Sequence, residues 1–144
     1  MSISSPGDKT LPIKITCRYV PHEGGGVVPA LFYNGQPDKN LSILVPPGYD
    51  KISFYRDLEA QEVPFFFTGA NVTPIRNQAG VCDDLKLASV TDEAVTVSDT
   101  YLHVGDHAVG DVTLFYFIQD FGGNGDGPTG GFASDPEIIN TGRD

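Results

Sequence analysis

The stretch Pro12-Ile13-Lys14-Ile15-Thr16-Cys17-Arg18-Tyr19 alternates apolar and polar residues, with Ile13, Ile15, Cys17 and Tyr19 on one side and Lys14, Thr16 and Arg18 on the other. That period of two belongs to a half-buried β-strand. Similar runs follow at Val27-Val28-Pro29-Ala30-Leu31-Phe32-Tyr33, Leu41-Ser42-Ile43-Leu44-Val45 and Lys51-Ile52-Ser53-Phe54-Tyr55. Pro29 denies its strand one ladder hydrogen bond, which suits an edge or a bulge. Pro46-Pro47-Gly48 separates the third and fourth runs by one turn, so they read as a meander.

Further along, Val63-Pro64-Phe65-Phe66-Phe67-Thr68 carries three consecutive Phe, as expected of a core strand buried on both faces or sending one ring outward. Residues 69–84 mix Pro74, Asn77 and Gly80 and read as a long loop, with one helical turn near Asp83-Asp84-Leu85-Lys86. Ala94–Val97, Thr100–Val104 and above all Val112-Thr113-Leu114-Phe115-Tyr116-Phe117-Ile118 read as strands; the near-unbroken apolarity of the last argues for a central place in a sheet. One more edge strand is expected within 132–139. About eight short strands with Gly- and Pro-rich loops predict an all-β chain: a single antiparallel Greek-key β-sandwich domain spanning residues 1–144. A small closed barrel is the alternative.

The Gly110-Asp111 pair, taken as a turn, together with strand 112–118, a polar loop and then Asp135-Pro136-Glu137-Ile138-Ile139, resembles the last hairpin of small cupredoxin-like sandwiches. The resemblance implies the sandwich fold. In copper-binding members a Cys, a His and usually a Met cluster near the final loop, with a second His upstream. This chain has no Cys or Met after position 82, so the resemblance implies fold without electron transfer.

Nine Lys plus Arg against nineteen Asp plus Glu give a net charge of −10, which repels phosphate backbones and anionic lipid alike. Neither nucleic acid nor membrane is an expected partner. Residues 1–8 lack the basic start and apolar core of a signal peptide, so the expectation is a cytoplasmic protein or one exported without a cleaved signal. Cys17 and Cys82 are the two cysteines and read as buried thiols, with a disulfide between them not decided by spacing.

His103-Val104-Gly105-Asp106-His107 offers two imidazoles and a carboxylate, yet Gly105-Asp106 reads as a turn whose flanking histidines stand in solvent. No Gly-x-Ser-x-Gly elbow surrounds a serine, and no Gly-rich loop leads into Lys-Ser or Lys-Thr. The acid pairs Asp57 with Glu59, Asp83 with Asp84 and Asp92 with Glu93 read as solvated turns and not as the facing carboxylates of a glycosidase. The sequence therefore calls for no catalytic residue and no resident cofactor.

The remaining chemistry sits after the strongest strand, where Asp120, Asn124 and Asp126 bring hard oxygen ligands together among glycines and could hold calcium. The loop departs from the EF-hand pattern: Gly122 takes the first ligand position and no Glu closes the twelfth. The segment is faintly similar to the Asp, Asn and Gly loop of some calcium-dependent bacterial lectins. The expected function is a non-enzymatic structural or self-assembling interaction protein, a homo-oligomer or a partner of another protein. The alternative is a calcium-dependent carbohydrate-binding module built on loop 120–127, with Tyr33, Tyr49, Tyr55 and Phe121 as rings for stacking on sugars.

Overall fold

A computed structural model describes residues 9–57, 63–77, 80–105, 107–118 and 130–142. They form twelve β-strands. In chain order these are β1 (Thr10–Pro21), β2 (Val27–Tyr33), β3 (Gln36–Pro37), β4 (Ser42–Val45), β5 (Lys51–Arg56), β6 (Phe65–Asn77), β7 (Gly80–Cys82), β8 (Leu85–Val90), β9 (Ala94–Asp99), β10 (Gly110–Ile118), β11 (Gly130–Ser134) and β12 (Glu137–Asn140). One sheet has the order β3-β2-β1-β5-β9-β8; the other has the order β4-β12-β10-β6-β7, with β11 also on β10. The buried side chains of both sheets join in a single hydrophobic cluster, so the chain is an all-β, two-sheet structure of sandwich type.

The opening alternation holds along β1: Ile13, Ile15 and Cys17 are buried, while Tyr19 emerges toward solvent near the strand end. Strand β10 is central as its apolarity indicates, flanked by β6 on one side and by β11 and β12 on the other. The three Phe of β6 alternate as the pleat requires. Phe65 and Phe67 are buried in edge-on contact with each other, and Phe66 turns outward against Phe117, ring centroids 5.5 Å apart. Cys17 and Cys82 are both buried and are not joined in a disulfide.

Several expectations are corrected. The sheets are mixed and not purely antiparallel: β1 pairs β5 in parallel, and so does β12 with β4. Parallel neighbours need a crossover connection, and residues 22–50 supply it by placing β4 in the opposite sheet before the chain returns as β5. Strands β4 and β5 are accordingly no meander, and Pro46-Pro47-Gly48 carries the chain between sheets, with Gly48 at φ +96°. Residues 69–84 are mostly strand (β6 and β7), and β8 occupies the place of the expected helical turn. Thr100–Val104 is not a strand, because Tyr101 sits at φ +59° and its N–H bonds the Asp99 carboxylate instead of a ladder partner. Gly110-Asp111 opens β10 and makes no turn. The last segment forms two strands, of which β12 is interior between β10 and β4.

Candidate functional site

Three features stand out against the hydrophobic interior, and only one of them is chemistry of the usual catalytic kind. Asp84, Asp99 and Asn140 are buried polar side chains where the ends of β9 and β12 and the start of β8 converge. Asp84 Oδ2 accepts the His103 main-chain N–H at 2.7 Å, and its Oδ1 lies 2.5 Å from His103 Nδ1. Asn140 Nδ2 lies 3.0 Å from Asp99 Oδ1, 3.1 Å from the His103 carbonyl and 3.4 Å from Asp84 Oδ2. The amide nitrogen thus faces three acceptors, so the reversed amide orientation would leave oxygen facing oxygen.

These bonds tie one sheet to the other, since Asp99 closes β9 of the first and Asn140 closes β12 of the second. Tyr101 adds a further stitch: its hydroxyl donates to the Val45 carbonyl at 2.6 Å and accepts the Gly142 N–H at 3.1 Å. Burial pushes the Asp99 carboxyl above its ordinary range, the Tyr101 N–H and Asn140 pull it back, and the Asp84 charge raises it again. Asp99 Oδ2 and Asn140 Oδ1 are both buried and have no hydrogen-bond partner among the described residues.

An Asp–His pair is two thirds of a hydrolytic triad, and two Thr hydroxyls of the neighbouring segments bond main-chain carbonyls. Thr100 Oγ1 donates to the Asp84 carbonyl and Thr141 Oγ1 to the Val45 carbonyl. The cleft beside the cluster, about 460 Å³ between Gly48–Asp50 and Ser98–Tyr101, is bordered by Asp99 and not by His103. The geometry is that of a polar clasp between sheets. Sequence reading missed it because Asp83-Asp84 and His103 both resembled solvated turn residues; Asp84 is instead fully buried and His103 is held against it.

The second feature is an acidic cleft of about 320 Å³ lined by Asp38, Asn40, Leu41, Asp111, Asp135 and Glu137. Asp111 stands directly opposite Glu137 across the β10–β12 ladder. Like charges in that position repel, and the Asp111 carboxyl is raised by burial first and then by the charges of Asp135 and Glu137. Ser42 Oγ donates to Glu137, and Ser134 Oγ donates to Asp38 Oδ2 at 2.6 Å. Among the described residues no group of three acid, His or Cys side chains is arranged to hold a metal ion.

The third feature is apolar. On the outward side of β10, Phe115 has Gly69 of β6 and Ala133 of β11 as cross-strand neighbours. With so little side chain beside it, the ring is 41% exposed and borders a shallow groove of about 530 Å³ with Thr68, Gly131 and Phe132. On the other sheet, β8 is an end strand whose residues from Lys86 to Val90 are exposed, Leu87 and Val90 included.

Asp120, Asn124 and Asp126, and the ring of Phe121, lie outside the described residues. Of the other rings considered for stacking, Tyr33 is buried, its hydroxyl 2.6 Å from Ser134 Oγ, so it cannot present a face to a sugar. Tyr49 lies under Lys9 Nζ, 4.6 Å from the ring centre, and Tyr55 is exposed. Compared with known proteins, the chain matches no family model and no curated protein. No helix among the described residues is long and apolar enough to cross a membrane.

Proposed function

We propose that this chain is a non-enzymatic structural or assembly protein that associates, with copies of itself or with another protein, through its β-sandwich surface and loops. The observation that carries the reading is β8. It ends the first sheet, it is paired on one side by β9, and it exposes Leu87 and Val90 with Lys86 as the single charge in its six residues. Natural sheets blunt free edges with charge, proline, bulges or short length, because an unpaired row of N–H and C=O groups recruits another strand. Strand β8 carries Lys86 and a bulge between Leu87 and Ser89, yet it still turns Leu87 and Val90 to solvent at the end of its sheet, a surface an assembling subunit could use.

The test is the solution mass by light scattering on a sizing column, with calcium and with chelator. An assembly subunit elutes above 15.4 kDa in both conditions, and Leu87→Lys with Val90→Lys reduces it to a folded monomer. A wild-type monomer of 15.4 kDa indifferent to calcium rejects self-assembly. A mass or sugar-binding change that appears only with calcium replaces the proposal with the carbohydrate-binding reading of loop 120–127.

A further inference from the structure

The outward side of β10 carries, two residues apart, Asp111, Thr113, Phe115 and Phe117, while Val112, Leu114, Tyr116 and Ile118 are buried behind them. Asp111 of this row lines the acidic cleft and Phe115 the apolar groove. We propose that this row is a docking surface for an extended segment of a partner protein that lays an apolar side chain on Phe115 and places a Lys or Arg in the cleft of Asp38, Asp111, Asp135 and Glu137. The inference rests on the interaction reading above but uses the other sheet.

Three observations define the occupant. The groove around Phe115 is apolar and shallow, floored by Gly69, Gly131 and Ala133, so backbone can approach it closely. Strand β11, which forms its rim, pairs with β10 and with no other described strand, so no described strand covers the groove from that side. Among the described residues the charge beside the groove is of one sign: four carboxylates line the cleft, Asp111 and Glu137 directly opposed. A cationic side chain from outside relieves that repulsion. A second copy of this chain, at net charge −10, brings more of the same sign.

The spacing follows from the strand. Asp111 and Phe115 are four residues apart, about 13 Å at the rise of an extended chain. A partner running alongside must therefore carry its basic and apolar residues four apart, which also puts both on one face; a separation of three sends one of them away.

The experiment uses the full chain and fluorescein-labelled nonapeptides of Ser and Thr bearing one Phe and one Lys, with Lys placed four or three positions from Phe and in both orders. Anisotropy should show saturable binding for a nonapeptide with Lys four positions from Phe, tighter by about threefold or more than the nonapeptide with a separation of three, the scale of one exposed charge contact. Phe115→Ser should weaken it about tenfold, as loss of an aromatic anchor does. Asp111→Asn with Glu137→Gln should reduce both the preference for spacing and the sensitivity to salt. Urea unfolding confirms that each variant is folded. Absence of binding at millimolar peptide, equal binding at both spacings, or binding that survives Phe115→Ser overturns the docking surface. The sizing experiment reads β8 independently, so an oligomer that ignores these peptides removes this inference and leaves the assembly reading standing.

Discussion

Replacing Asp99 by Asn should stabilise the protein at neutral pH, a counterintuitive result for a buried residue in a hydrogen-bond network. Asp99 Oδ1 accepts the Tyr101 N–H at 2.9 Å and Asn140 Nδ2 at 3.0 Å, and an Asn oxygen can keep both. The other oxygen, Oδ2, is buried with no donor among the described residues, so exchanging it for NH₂ forfeits no bond seen there. The same cluster contains Asn140 Oδ1, a buried acceptor that also lacks a partner. Removing one unsatisfied buried oxygen is worth about 1–3 kcal/mol, and the new amide must find an acceptor of its own, so a net gain of about 1 kcal/mol at pH 7 is expected. The sign with pH follows from the raised carboxyl. Below the ordinary carboxylate value of about 3.9 the acid is protonated folded and unfolded, and it contributes nothing to the pH slope. Above that value the unfolded acid ionises while the folded one resists, so stability is lost as pH rises until the raised folded value is passed. Asn has no such slope. Urea unfolding followed by circular dichroism from pH 3 to 8 should show the variant's advantage growing with pH; general repulsion from the net charge is nearly the same in both proteins and largely cancels in the difference. A variant destabilised by more than about 1 kcal/mol at pH 7, or a difference constant across pH, would refute the assignment of Asp99 as a carboxyl burdened by burial.

Asn140→Ala should cost about 3 kcal/mol, because it strips a donor from two buried carboxylates at once, and a loss below about 1 kcal/mol in urea titrations would show that the clasp contributes little. Gly110→Ala should lower stability by about 1–3 kcal/mol, since a Cβ there would stand 2.9 Å from Leu85 Cδ1 and 3.1 Å from the Thr73 carbonyl; Leu85→Val in the same chain should recover part of the loss, and an unchanged melting temperature for Gly110→Ala would contradict the packing. Burial pushes the Cys17 thiol up to about 12 and also covers Cys82, so neither thiol should react with Ellman's reagent at pH 8 until the chain unfolds. Prompt release of the reagent's colour from native protein would count against both being buried.

Much of the strand pattern was legible because it is local. The run 27–33 coincides with β2, and 51–55 and 112–118 fall inside β5 and β10, since alternation and apolar content are written into neighbouring residues. What escaped depends on distant partners. Asp84 reads as one of two adjacent surface acids until Asn140, 56 residues away, supplies an amide and His103 closes over it. Tyr101 sits in an apolar pattern suited to a strand, and its positive φ follows from the Asp99 carboxylate and the Val45 carbonyl capturing its N–H and hydroxyl. Pro46-Pro47-Gly48 is a turn in either topology, so nothing local distinguishes a hairpin from a passage to the opposite sheet. The parallel pairing of β1 with β5 and of β4 with β12 is lost for the same reason.

The positions of the polar residues separate what holds the fold from what faces outward. Asp84, Asp99 and Asn140 spend their hydrogen bonds between the sheets, and exposure of any of them would weaken the clasp. Asp111 and Glu137 do the opposite: they sit in register on one ladder, repel each other and join nothing across the sandwich through that pair. Selection for stability alone has a simple remedy for such a pair, a neutral residue at either position, and the same holds for Phe115, whose ring is left open by Gly69 and Ala133. Locally unfavourable choices that adjoin one another on a rigid central strand are where a fold departs from its own optimum, and such departures concentrate at functional surfaces. The outward side of β10 is therefore where binding should be sought, and β8 is where the proposed association should be tested.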